Sequence, residues 1–265
     1  MPKLILGLLI IISNPLAADE INFSSGVQKT QLLELYTSQG CSSCPPAENW
    51  FNRLTGHEQL WTEIIPVAFH VDYWDYLGWH DPFAKPEYSQ RQRDHGLSAD
   101  MAVYTPGFVM NGSEWRNFFN AFGNPSIAPL ANAEQTGDLR IKLEGNALSA
   151  LFDTDQLVTA EPLILNLAVL GFDLQTSILR GENGGRTINH DFVVLHHQQV
   201  ASDSSLQDSP SHSQSHSQSH SQSHSEWQSE LPSEFLESSQ KLALAAWVSE
   251  PEKPAPLQAT GGWLN

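Results

Sequence analysis

The chain has 265 residues, 40% of them hydrophobic, enough to bury a substantial core in one large domain or two small ones. Acids outnumber bases 30 to 13, for a formal charge of −17. That balance excludes a non-specific nucleic-acid binder, which needs a basic surface for phosphates.

Residues 1–18 have the three parts of an export signal. Lys3 gives the positive start, Leu4 to Ile12 an unbroken apolar run, and Pro15-Leu16-Ala17-Ala18 small residues for cleavage. The apolar run is too short to cross a bilayer, which takes ~20 residues. An uncleaved anchor or a buried N-terminal strand is the competing reading. The expectation is a periplasmic or secreted protein, not stably inserted in a membrane after signal cleavage, in a compartment where disulfides persist.

Gln31 to Thr37 (QLLELYT) is short, apolar and bounded by turn residues, the pattern of a buried strand. Ser38-Gln39-Gly40 breaks it. After Pro45-Pro46, the apolar residues Trp50, Phe51 and Leu54 fall at helical spacing, and proline is tolerated in a helix's first turn. Cys41 and Cys44, the only cysteines, therefore sit on a strand-to-helix turn. Ile64 to Val71 is a second strand candidate, followed by the aromatic and polar block Asp72 to Phe83. Glu87 to Gly96 suits a polar helix ending at its glycine. Thr105-Pro106 leads into Gly107 to Met110, Asn111-Gly112 is a hairpin turn, and Glu114 to Phe122 a closing helix.

Residues 123–132 have the character of a linker. Beyond them Leu139 to Leu143, Ala147 to Asp153, Pro162 to Phe172, Asp191 to His196 and Lys241 to Val248 are strand-like and separated by turn residues. Ser211 to Ser225 repeats Ser-His-Ser-Gln, with His212, His216, His220 and His224 four apart. Without apolar residues such a tract cannot offset the entropy of ordering, so a disordered insertion is expected at about 203–232. A weak metal-binding tract is the alternative.

A dithiol two residues apart at a helix start can close and reopen a small disulfide, because the helix N-terminus favours thiolate. Three other readings compete. A zinc site needs two more ligands, and nothing in the spacing brings His70 or His80 near the sulfurs. A structural disulfide gains little from so short a loop. A copper site would use both thiolates and a histidine. Thr105-Pro106 stands where a dithiol oxidoreductase would place a cis-proline loop beside its substrate. Asp72 is a candidate base for the resolving cysteine. The block His70 to Asp81 is either a substrate or metal surface or an aromatic loop over the core. His190, His196 and His197 have the character of structural or surface residues.

Taken together, Leu35 to Ala47 (LYTSQGCSSCPPA), His70 to Trp79 (HVDYWDYLGW), Tyr104-Thr105-Pro106 and Asn111-Gly112 resemble the thioredoxin-like superfamily, and within it an exported bacterial family known as domain of unknown function 1223. The likeness covers about residues 30 to 122 and extends more weakly to Gly181 to His190 (GENGGRTINH). It departs from thioredoxin in having no Trp before Cys41, Ser-Ser between the cysteines, and two prolines after Cys44. The resemblance implies an α/β thioredoxin-like domain at 24–122, with Cys41 as nucleophile, Cys44 as resolving thiol and Pro106 as cis-proline. A mainly antiparallel, sandwich-like β domain at 133–265 would follow. Tyr104, Thr105 and Trp74 are expected to bind substrate. The expected activity is disulfide exchange with protein thiols or disulfides, with no cofactor and no bound metal. The alternative is a non-catalytic periplasmic protein that binds copper or a protein partner and keeps a structural disulfide.

Overall fold

The computed structural model describes residues 20–120, 134–156, 162–202 and 223–265. In chain order the elements are β1 (Glu20–Ser24), β2 (Gln31–Thr37), α1 (Pro45–Asn52), β3 (Ile64–His70), α2 (Pro86–Ala99), β4 (Gly107–Met110), β5 (Ser113–Glu114), α3 (Asn117–Asn120), β6 (Asp138–Glu144), β7 (Ala147–Thr154), β8 (Ile164–Gly171), β9 (Leu174–Ser177), β10 (Thr187–His190), β11 (Val193–Ala201), β12 (Ser223–Glu230), α4 (Ser233–Leu236), β13 (Leu242–Ser249) and β14 (Pro256–Trp263). The expected signal and linker lie outside the described residues.

The apolar runs QLLELYT and IIPVAFH become β2 and β3, buried along their whole length and paired in parallel. Strands covered on both faces need such continuous runs. They do not form a sheet of their own. One mixed sheet of eight strands runs in the order β14-β13-β8-β11-β3-β2-β4-β5. The join is parallel, with Val193 of β11 opposite Ala68 of β3, and the Ala68 N–H donates to the Phe192 carbonyl at 2.9 Å.

This overturns the expected α/β thioredoxin-like domain followed by a separate β sandwich. The described chain is mainly β, and both halves share the large sheet. A second, antiparallel sheet runs β1-β6-β7-β12. Its edge strand β1 spans Glu20–Ser24, at and before the start of the expected first domain, and β12 comes from the far end of the stretch expected to be disordered. Residues 203–222 of that stretch lie outside the described residues.

Period-two alternation explains how the halves are tied. On β13, Ala243, Ala245 and Trp247 face a core shared with β2, β3 and α1. The alternate residues Leu242, Leu244, Ala246 and Val248 face the four-stranded sheet. β8 divides in the same way, Ala168 and Leu170 to one side and Leu165, Leu167 and Val169 to the other. Each leucine-sized side chain so buried contributes roughly 1.5–3 kcal/mol.

Smaller differences have local causes. α2 runs past Gly96 and stops at Asp100, in the left-handed region at φ 50°, whose N–H returns to the Gly96 carbonyl. Glu114 pairs in β5, so the closing helix begins only at Asn117. β13 is followed by a further strand, β14, on its outer edge.

One charged cluster lies inside the shared core. Glu34 on β2 is fully buried, accepting from Arg91 Nε and Nη2 at 2.8 and 3.0 Å and from Tyr36 Oη at 2.7 Å, with His95 Nε2 at 3.0 Å. Burial alone would raise this carboxyl, but the Arg91 and His95 charges outweigh it and hold it well below the usual carboxylate range.

Candidate functional site

The CxxC turn follows directly from β2. Its last residue, Thr37, leads into Ser38, whose carbonyl accepts the Cys41 N–H at 3.1 Å. Cys41 and Cys44 are joined as a disulfide. Cys44 is the N-cap of α1, and its carbonyl accepts the N–H groups of Ala47 and Glu48 at 2.9 and 3.0 Å. Pro45 and Pro46 occupy the first turn, where no intrahelical bond is lost. Cys41 therefore stands three residues before the cap, and Cys44 is the sulfur-bearing residue at the helix start. Ser42 and Ser43 face solvent, whereas Cys41 and Cys44 are 1% and 0% exposed.

Two walls enclose this turn. The first is the aromatic block. Trp74 packs on Gly40, where an added Cβ would meet Trp74 Cβ at 3.0 Å, so any side chain there would press on Trp74. Trp74 Nε1 donates to Thr105 Oγ1 at 2.7 Å. The pairing of Tyr36 with Gly107 carries Thr105 and Pro106 alongside Ser38 and Thr37, and the Thr105-Pro106 peptide is cis. The structure thus brings Trp74, Thr105 and Pro106 to the CxxC turn. Tyr104 turns to β5 instead, donating to Glu114 at 2.6 Å, and burial with that bond pushes its phenol up to about 12. Asp72 accepts from Ser89 Oγ at 2.5 Å, so its carboxylate is engaged with α2.

The second wall comes from the second half of the chain. β9 and β10 form a hairpin whose tip reaches over the CxxC turn. Asn183 at that tip is fully buried, and its Nδ2 donates to the carbonyls of Gln39 and Cys41 at 3.0 and 2.9 Å. The Ser42 N–H donates to Glu182 Oε2 at 3.2 Å. Gly181 and Gly185 flank the tip at φ 76° and 84°, a region that favours glycine. At the hairpin's base, Asn52 of α1 bonds the backbone on either side of His190.

Behind the turn lies a buried polar network. Thr37 Oγ1 donates to Glu48 Oε1 at 2.5 Å, and His190 Nδ1 stands 2.8 Å from Glu48 Oε2. That second contact is off line for a hydrogen bond and leaves both atoms without one. His70 Nδ1 lies 2.7 Å from Asp81 Oδ2, which also accepts the Gln39 N–H at 2.8 Å. Burial opposes charge on Glu48, yet His190, His70 and Thr37 together hold its pKa below the usual value. Burial likewise lowers His70, but Asp81 and Glu48 outweigh it and raise the imidazole. Asp81 is lowered against its own burial by His70 and two backbone N–H groups. Buried carboxylates and imidazoles with shifted pKa values cluster at functional sites, and structural ion pairs such as Glu34–Arg91 also form them.

The sequence pattern marks His70 as a candidate and gives His190 a structural or surface character, but singles out neither Glu48 nor Asn183. Glu48 sits one turn after Cys44 inside an apolar helix face, a buried-acid signal that periodicity alone reveals. His70 ends β3 beside Thr37 by parallel register. His190 and Asn183 belong to GENGGRTINH, the stretch whose weaker likeness reached into the second half. His196 lies on β11 partly buried, and His197 stacks on Trp247 at 5.4 Å, where burial pushes its imidazole down to about 3. His80 is 79% exposed and lies 2.5 Å from Asp75.

No curated protein matches the sequence significantly. Among solved structures, one of a protein from Agrobacterium tumefaciens is similar at 18% identity and a TM-score of 0.54, covering 89% of this chain and 94% of that one. HBP35 of Porphyromonas gingivalis is similar at 15% identity and a TM-score of 0.55, covering 90% of this chain and 76% of that one. At these identities the likeness concerns the fold alone. The family model for a protein of unknown function, DUF1223, matches residues 32–248, which takes in the CxxC turn, both of its walls and the sheet that joins them. The chain belongs to the DUF1223 family.

Proposed function

We propose that this chain is an exported thiol–disulfide exchange protein, periplasmic or secreted, acting on protein thiols through Cys41 and Cys44. The observation that carries this reading is the placement of the disulfide. It lies on the turn from a buried strand to α1, held by the Asn183 hairpin tip, with an ionisable network behind it. Exposed Ser42 and Ser43 mark the side of approach. The net charge argues against nucleic acid as a partner.

In the oxidising direction, a substrate thiolate attacks Cys41 Sγ, the Cys41–Cys44 bond breaks, and Cys44 leaves as thiolate. The second substrate thiol loses its proton, attacks the mixed disulfide and displaces Cys41. Two electrons and two protons pass from the substrate's thiols to the two cysteines, and the substrate leaves as a disulfide. Reduction is the same sequence reversed. Cys41 is 1% exposed, so access to it needs local opening, and the Asn183 tip that holds the Cys41 carbonyl is the element expected to lift.

That same burial favours a second reading, a binding protein for copper or a protein partner that keeps an inert structural disulfide. The two separate by trapping. Wild type is expected to speed reduction of insulin by dithiothreitol, and Cys41→Ala to abolish that gain. Cys44→Ala, which keeps the attacking sulfur and removes the resolving one, is expected to accumulate mixed disulfides visible on a non-reducing gel. A wild type no faster than dithiothreitol alone, with no adduct on Cys44→Ala, would leave only the binding reading.

A further inference from the structure

Glu48, His70 and His190 come from α1, β3 and β10, and each offers a ligand atom within 4.8 Å of the other two. We propose that these three side chains bind one divalent transition-metal ion of the zinc class, through two imidazole nitrogens and one carboxylate oxygen. Zinc-class ions favour this mixed set, which leaves a fourth position open.

The surroundings are built for ligands. The three residues are 3%, 1% and 2% exposed, so their donors are shielded from water. His70 Nδ1 is engaged by Asp81 at 2.7 Å, which leaves Nε2 as the free donor. Asp81 is itself fixed by the N–H groups of Gln39 and Phe83 at 2.8 and 3.0 Å. A carboxylate behind a histidine in this way sets the ring's tautomer and strengthens it as a ligand. Thr37 takes Glu48 Oε1, while Oε2 has no hydrogen bond, and neither has His190 Nδ1. These two atoms now face each other as an ion pair at 2.8 Å; parting them by about half an ångström lets one ion take both at ligand distances of about 2.0–2.1 Å, and its double charge would balance the buried carboxylates of Glu48 and Asp81.

One group must turn. Trp79 Nε1 donates to Gln39 Oε1 at 2.9 Å, so Gln39 Nε2 faces His190 Nε2 at 3.2 Å. This places the ring's proton on Nδ1 in the metal-free protein. Binding moves that proton to Nε2 and turns the Gln39 carboxamide so that its oxygen accepts it, which gives up the Gln39 Nε2 bond to Thr176 Oγ1 at 3.1 Å. Trp79, partly exposed, then gives its N–H to water.

The test uses the full mature chain with the disulfide oxidised. His212, His216, His220 and His224 are changed to Gln throughout, so that the repeat contributes no background. Protein made in medium containing Co(II) or Zn(II) is desalted, and its metal content and visible spectrum are measured. One ion per chain is expected, with Co(II) bands of a tetrahedral nitrogen and oxygen site and no sulfur charge-transfer band. Glu48→Gln and His190→Gln are each expected to weaken binding about 100-fold or more, and Asp81→Asn about 10-fold to 100-fold. Retention of no ion, or equal retention by Glu48→Gln and His190→Gln, would overturn the proposal. Should those variants fail to fold, a parent spectrum without tetrahedral bands, or with sulfur charge transfer, overturns it as well.

Discussion

Arg91→Ala is expected to destabilise the protein by about 3–5 kcal/mol, the range found when one partner of a buried ion pair is removed. Arg91 is 7% exposed on α2 and grips the fully buried carboxylate of Glu34 with two N–H groups. Truncating it leaves Glu34 charged and short of donors in the core. Arg91 also reaches the second half. Its Nη2 donates to the Pro254 carbonyl at 3.3 Å, and its guanidinium lies 5.0 Å from the Trp247 ring. Lysine at this position should recover little, because a point charge cannot reproduce the planar fork. Chemical denaturation of wild type, Arg91→Ala and Arg91→Lys measures the effect. Leu97→Ala on the same helix, at a residue 85% exposed, is the control and should cost about 0.5 kcal/mol or less. A loss below about 1 kcal/mol for Arg91→Ala would mean that the cluster does not hold the two halves together.

Asn183→Ala is expected to speed reduction of the Cys41–Cys44 disulfide by about 10-fold to 100-fold. Asn183 closes the hairpin tip over the turn with two hydrogen bonds, each worth ~1 kcal/mol net, and every 1.4 kcal/mol shifts an opening equilibrium about tenfold. The measurement is the rate of disulfide loss under a fixed excess of dithiothreitol, followed by thiol labelling. Glu182→Gln should change that rate less, since the Ser42 N–H bond it accepts is exposed. An unchanged rate in Asn183→Ala, with the fold intact, would mean that access to Cys41 is not limited by this loop.

How much of this was legible in the sequence depended on whether the information was local. The run QLLELYT, the prolines after Cys44 and the Asn111-Gly112 turn act over a few residues, and β2, α1 and the β4–β5 hairpin form where they point. Strand partners are not local. Nothing near Ala68 indicates that Val193 lies beside it, so the sequence alone points to two separate domains where the structure has one eight-stranded sheet. The unbroken apolar run LALAAWV is that of a strand covered on both faces, but it does not say that the four-stranded sheet is what covers the second face. The site divides along the same line. Trp74 and Thr105 reach Gly40 and the end of β2 through adjacent elements of the first half. Asn183 and His190 arrive on a hairpin more than a hundred residues later, and Asp72 turns away because Ser89 offers it a partner.

The measurement that tests the central claim most directly is the reduction potential of the Cys41–Cys44 pair, found by equilibrating the mature protein with glutathione or dithiothreitol buffers. A redox-active pair is expected between about −120 and −270 mV, the span of known exchange catalysts. A potential below about −300 mV would mark a structural disulfide and contradict the exchange function proposed for Cys41 and Cys44.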